Sequence, residues 1–233
     1  MALKKEKKKA ISNRRTVVAM LDPKSPISEQ YRTIRTNIQY SSVDQEVKTL
    51  LVTSSGPGEG KSTTVANLAV VFAQQGKKVL LVDADLRKPT VHYTFNQTNR
   101  FGLTSVLTKQ VSLENAVVDT EEKNLFVLTS GPVPPNPAEL LSSHAMEQLL
   151  KDAQQVFDLI LFDTPPILVV TDAQILANKC KGTLLVVSSE VTEKERAVKA
   201  KELLEAAQGK LLGVVLNNKK VQDTNSYYYY GAK

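Results

Sequence analysis

The chain is expected to fold as an α/β protein, with a mainly parallel β-sheet covered by helices on both faces. Two observations predict this. Short, almost unbroken apolar runs ("TLLV", "VLLVD", "DLILF", "LLGVVL") alternate with amphipathic stretches, and strands that are apolar on both faces suit a sheet buried between two helical layers. The first run leads into a glycine-rich turn, "SSGPGEGKST", and then into "TTVANLAVVFAQQG", the strand–loop–helix order of a P-loop fold. At 233 residues the chain suits one such core with appended ends.

The elements follow in order. "DPKSPISEQ" breaks structure with prolines and serines, and "SEQYRTIRTNIQY" reads as a helix capped by Ser28, with Tyr31, Ile34 and Ile38 on one face. "KTLLVTS" (48–54) is the first strand, the helix after the turn stops at Gly76, and "KKVLLVDAD" is the next strand. From about 86 to 123 the pattern is irregular, with short helices near 103–108 and 113–118. "NLFVLTS" (124–130) is strand-like, and "GPVPPNP" is a loop because its four prolines exclude both helix and ladder. A helix from Ala138 to about Gln155, with a break near Ser143, precedes "FDLILFD"; "TDAQILANK", "TLLVVSS", "EKERAVKAKELLEAA" and "LLGVVLN" complete the alternation.

Composition narrows the function. The formal charge of +6 lies entirely in residues 1–15, where seven lysines and arginines face one glutamate. The remaining chain is neutral, which argues against a basic globular face for nucleic acid. This basic, disordered arm suits either an anionic lipid surface or plain solvation, and both readings stay open. No apolar run approaches the roughly 20 residues that span a bilayer, and the amino end lacks a secretory pattern. The single cysteine, Cys180, fits a reducing, cytoplasmic setting. Three parts result: residues 1–15 as the arm, 16–218 as the P-loop domain, and 219–233 as a tyrosine-rich tail.

The glycine-rich turn carries the chemistry. In "SSGPGEGKST" the backbone N–H groups of Gly56, Gly58, Glu59, Gly60 and Thr63 suit phosphates, Lys61 reaches the β and γ oxygens, and Ser62 supplies a Mg²⁺ ligand. The usual first glycine of this motif is Ser55 here. "LILFDTPP" places Asp163 at the carboxyl end of a buried strand, where open α/β sheets bind ligands, and "VLLVDADLRKP" places Asp83 and Asp85 at another. Each aspartate alone reads as a cap or turn acid; together with the loop they read as metal and nucleophile handling. Asn217 ends the last apolar run, where it is equally a turn residue or an adenine contact.

Taken together, "SEQYRTIRTN", "GPGEGKS", "LLVDADLRKP", "ILFDTPP" and the terminal tyrosine cluster resemble the bacterial tyrosine kinase family, the soluble kinases encoded with capsule and exopolysaccharide machinery. The resemblance spans nearly all of 16–233. It implies ATP and Mg²⁺ as cofactors, Ser62, Asp83 and Asp163 at the metal, and Lys61, Asp83, Asp85 and Asp163 as catalytic residues, with Arg87 unassigned. It implies a transmembrane activator of polysaccharide chain-length control as partner, and peripheral attachment to the membrane through it. Partition ATPases share the sheet and the strand-end aspartates. They carry a lysine where this chain has Gly56, which argues against the alternative of a nucleotide-driven switch acting on DNA or membrane partners.

The chain closes on "NSYYYYGAK". Four adjacent phenols cannot all face a core, and the resemblance implies that Tyr227, Tyr228, Tyr229 and Tyr230 are phosphoacceptors delivered to a neighbouring copy. Glu29, Arg32 and Arg35 lie along one flank of their helix. An exposed Glu–Arg pair there contributes a few tenths of a kcal/mol, while the resemblance implies that the three join subunits into a ring.

Overall fold

The computed structural model describes residues 17–41 and 46–220. The basic arm and the tyrosines of the tail lie outside the described residues. Strands β1 (Thr49–Ser54), β2 (Val79–Asp83), β3 (Val118–Asp119), β4 (Leu125–Leu128), β5 (Leu159–Asp163), β6 (Gly182–Ser188) and β7 (Leu211–Asn217) form one sheet in the order β3-β4-β2-β5-β1-β6-β7. All neighbours are parallel except β3, which pairs antiparallel with β4 through Val118–Val127 and Asp119–Phe126.

Alternation along each buried strand feeds two cores. Leu51, Leu80 and Ile160 pack with α5 (Leu103–Leu107), α6 (Leu113–Ala116), α7 (Pro137–Ser142), α8 (His144–Val156), α9 (Asp172–Lys179) and α10 (Lys194–Ala206). Leu50, Leu81 and Leu161 pack with α1 (Val18–Leu21), α2 (Pro26–Tyr40), α3 (Lys61–Ala73) and α4 (Val91–Thr94). Adjacent strand residues point to opposite faces, so the continuous apolar runs are accounted for.

α3 is buried nearly all round, which is why "STTVANLAVV" shows no polar stripe. It lies between the sheet and the α1–α2 pair. Asn67 Oδ1 accepts from the Ala19 N–H at 2.9 Å and Gln74 Nε2 donates to the Ala19 carbonyl at 3.1 Å, so α1 is stitched onto α3. Gly76, with φ +97°, stops the segment and donates its N–H to the Ala73 carbonyl.

Two local expectations change. Ser25, not Ser28, caps α2: its Oγ accepts from the Ser28 N–H at 3.2 Å, and Pro26 fills the first helical position, where a missing N–H costs nothing. The 113–118 helix stops at Ala116, because Val118 and Asp119 are drawn into edge pairing with β4. The expected break near Ser143 is present: Ser143, in extended geometry, ends one helix and caps the next through Met146 N–H.

Candidate active site

The sheet delivers its polar residues at the carboxyl ends of its central strands. β1 runs into the phosphate loop, and Asp83 of β2 is the register partner of Asp163 of β5, so the two carboxylates emerge side by side. Both are fully buried.

The loop between Ser54 and Lys61 needs left-handed backbone at Gly58 (φ +79°) and Gly60 (φ +93°). A side chain on Gly60 would also collide with the Asn217 amide. That amide donates to the Glu59 carbonyl at 3.0 Å, tying the end of β7 to the loop. The Glu59 carboxylate is buried. It accepts from Ser55 Oγ at 3.0 Å on each oxygen and from Thr192 Oγ1 at 2.7 Å. Ser55 thus has a physical reason to replace the usual glycine. Its hydroxyl satisfies a buried carboxylate, which is costly to leave unpaired.

Lys61 opens α3 and is trapped among carboxylates. Its Nζ lies 3.2 Å from Asp85 Oδ2, 3.3 Å from Asp163 Oδ1 and 3.1 Å from Ser62 Oγ. Burial by itself lowers the pKa of this ammonium, but Asp163, Asp85 and Asp83 together outweigh it and raise the value. Asp83 is pushed up to about 7, chiefly by burial and then by Asp163, against the pull of two backbone N–H groups, Val91 and Thr90, both at 2.9 Å from Oδ2. Asp85 Oδ1 accepts from the Lys88 N–H at 3.0 Å.

Two oxygens of this cluster have no partner: Asp83 Oδ1 and Asp163 Oδ2 are buried and without a hydrogen bond among the described residues. Orphaned buried acceptors are rare. Hard carboxylate oxygens next to a serine hydroxyl are the donor set that suits Mg²⁺, so the residues present fit that ion.

Other expected residues fall elsewhere. Arg87 forms a two-pronged pair with the buried Asp172, at 2.9 and 3.0 Å. Asp172 was not singled out from the sequence; its signal was an acid at the start of "DAQILANK", which reads equally as a helix cap. Thr192 was missed as well, because a turn threonine carries no motif. In α2, Glu29 pairs with Arg32 within the helix. Arg35 departs from that flank: Nη1 donates to the Val71 carbonyl at 2.7 Å, and its buried Nε lacks a partner. Tyr31, Ile34, Thr64, Leu184, Val215 and Asn217 line an open groove of about 1340 Å³ between α2 and β7, and its Asn217 end touches the phosphate loop.

A phosphate loop on a parallel sheet, with buried strand-end carboxylates around its lysine, defines a nucleotide-binding P-loop protein, and residues 47–192 match the AAA domain family. The chain belongs to the bacterial tyrosine kinases. It is 60% identical to tyrosine-protein kinase YwqD of Bacillus subtilis, over 100% of this chain and 98% of that protein. Among solved structures it is similar to the kinase domain of Escherichia coli tyrosine kinase ETK, with TM-score 0.85 and 32% identity over 94% of this chain and 86% of that one. It is also similar to the chimerical protein CapA2B2, with TM-score 0.84 and 45% identity over 87% and 90%. The enzyme is a protein-tyrosine kinase. No helix among the described residues is long and apolar enough to cross a membrane.

Proposed function

We propose that the chain uses Mg²⁺ and ATP to phosphorylate the tyrosines 227–230 of a neighbouring copy, and that this cycle regulates capsular or exopolysaccharide synthesis. The observation that carries the reading is the pair of partnerless oxygens, Asp83 Oδ1 and Asp163 Oδ2, beside Lys61 at the phosphate loop. Phosphoryl transfer needs mainly positioning and charge neutralisation. Backbone N–H groups of residues 56–63 hold the phosphates, and Lys61 moves from its carboxylates to the β and γ oxygens. Ser62, Asp83 and Asp163 would hold the metal, which when bound supplies positive charge to the transferring group. Asn217 and the groove beside it suit the base.

Asp83 has a second task. An ordinary carboxyl lies about six powers of ten below a phenol in basicity; burial and Asp163 raise Asp83 toward it in the metal-free protein, and a metal held there would draw it back down. Asp83 orients the acceptor hydroxyl and takes the proton late in the transfer, while Asp85 stays with the backbone of Lys88 and contacts the acceptor or metal.

Delivery in trans explains why the acceptors sit on a short tail. A ring joined through Glu29, Arg32 and Arg35 would bring one chain's tail to the next chain's site, Glu29 and Arg32 exchanging their intrahelical pair for partners across the interface. The solved chimera CapA2B2 supports a kinase that works joined to a second protein, and a transmembrane activator is the partner we assign. Each phosphate adds about −1.5 to −2 charge, so a fully modified tail brings roughly −6 to −8 beside three aspartates. Repulsion then expels it and loosens the ring.

One sample tests this with two readouts. After incubation with Mg²⁺ and ATP, mass spectrometry should place phosphate on Tyr227, Tyr228, Tyr229 or Tyr230, and light scattering should show a ring before treatment and smaller species after it. ATP consumption with no phosphate on these tyrosines, or a single-subunit mass before treatment, contradicts the corresponding half.

A further inference from the structure

Arg196 stands in the first turn of α10 with nothing of its own to hold. Its guanidinium has no hydrogen bond or ion pair among the described residues. The first turn of a helix is also a poor place for a cation, since the aligned backbone N–H groups already give it positive potential. Its neighbour is the phosphate loop: Arg196 Nη2 lies 3.0 Å from the place a Cβ on Gly56 would occupy.

Gly56 itself needs an explanation. Its φ is outside the left-handed region, unlike those of Gly58 and Gly60, so the backbone there accepts any residue. A Cβ there would meet the guanidinium end of Arg196, which would have to give way. The glycine leaves room at the loop for an arginine that comes from another element.

The backbone that carries Arg196 is tied to the loop. Thr192 Oγ1 donates to Glu59 Oε1 at 2.7 Å and accepts from the Ser188 N–H at 2.9 Å, which pins the turn before α10 to the loop. Glu59 Oε1 is itself 3.5 Å from the same point over Gly56, but both its oxygens are engaged by Ser55 and Thr192, and no ion pair to Arg196 forms. An unpaired guanidinium thus lies beside the phosphate loop, against the local helix field, near a site whose three aspartates outnumber its one lysine.

We propose that Arg196 contacts the terminal phosphate of the bound nucleoside triphosphate. α3 starts at Lys61, and a helix N-terminus takes the inner phosphates while the lysine reaches outward to β and γ. Residues 55–58 therefore lie toward the outer end, where Arg196 is. A guanidinium matches phosphate oxygens with two parallel N–H donors, which an ammonium cannot reproduce. The contact exists with a triphosphate and is lost with a diphosphate, so it favours ATP over ADP. This inference rests on the ATP reading given above.

The test compares full-length wild type with Arg196→Ala and Arg196→Lys, titrated with Mg·ADP and with a non-hydrolysable Mg·ATP analogue. Arg196→Ala should weaken the triphosphate about tenfold, leave the diphosphate within about twofold, and slow tyrosine phosphorylation. Arg196→Lys should recover part of the loss. Because the side chain is exposed and unpaired, the thermal midpoint without nucleotide should not move. Unchanged affinity for both nucleotides overturns the proposal, and so does an equal loss for both, which would place the arginine on the inner phosphates. A wild type that binds neither nucleotide instead overturns the ATP reading itself, and this inference with it.

Discussion

Replacing Lys61 with methionine should lower phosphoryl transfer by at least about 10²–10³-fold, the usual cost of removing one preorganised charge donor from a transition state. It should also destabilise the protein. Lys61 is the cation that ion-pairs with both Asp85 and Asp163 and favours the ionised form of Asp83. Removing one partner of a buried pair typically costs about 3–5 kcal/mol. Lys61→Arg separates the two roles. The guanidinium keeps the charge among the carboxylates but does not reproduce the compact ammonium of a phosphate loop. Thermal unfolding near the wild-type midpoint, together with lost activity, is expected for arginine, and loss of both for methionine. A methionine variant with a tenth or more of the wild-type rate would contradict the role given to Lys61.

Asp83→Asn should act in opposite directions on activity and stability. Activity falls by about 10²–10⁴-fold, the span ascribed to a positioned proton acceptor. Stability behaves differently because the folded pKa of Asp83 is raised from 3.8 to about 7. Native protein then keeps a proton that the unfolded chain releases. The stabilisation from Asp83 is therefore complete below pH 4 and drains away as pH rises through about 7, on the order of 4 kcal/mol in all. Asparagine cannot ionise, is free of the charge repulsion from Asp163, and can still accept from Thr90 and Val91. Metal-free Asp83→Asn should lack this loss between pH 4 and 7 and exceed wild type in denaturant midpoint at pH 8. A wild-type midpoint that climbs across that interval, with the variant less stable at pH 8, would show that the carboxylate is comfortably ionised.

Where the sequence spoke clearly, it did so through period and punctuation. The parallel sheet was legible because Leu50, Leu51, Leu80 and Leu81 are all buried, so the strands carry no polar face to confuse with a helix. The phosphate loop, Asp83, Asp85 and Asp163 were legible because motif and strand end coincide. Other features depend on partners distant in sequence. Arg87 meets Asp172 across 85 positions, and Glu59 meets Thr192 across 133, and no local spacing encodes either. Arg35 shows the same limit. Helical geometry put it on a flank with Glu29 and Arg32, but its long side chain folds back onto the Val71 carbonyl. Ser28 misled because serine is a good cap by type, whereas Pro26 fixed the start three residues earlier.

The most direct test of the central claim, transfer of phosphate to the tail of another copy, mixes two proteins that cannot each label themselves. One is active but lacks residues 219–233; the other is full-length Lys61→Arg, folded and inactive. With Mg²⁺ and ATP, mass spectrometry should find phosphate on Tyr227, Tyr228, Tyr229 or Tyr230 of the Lys61→Arg chain, and none when either protein is incubated alone. If the mixture consumes ATP and leaves those four tyrosines unmodified, the account is wrong.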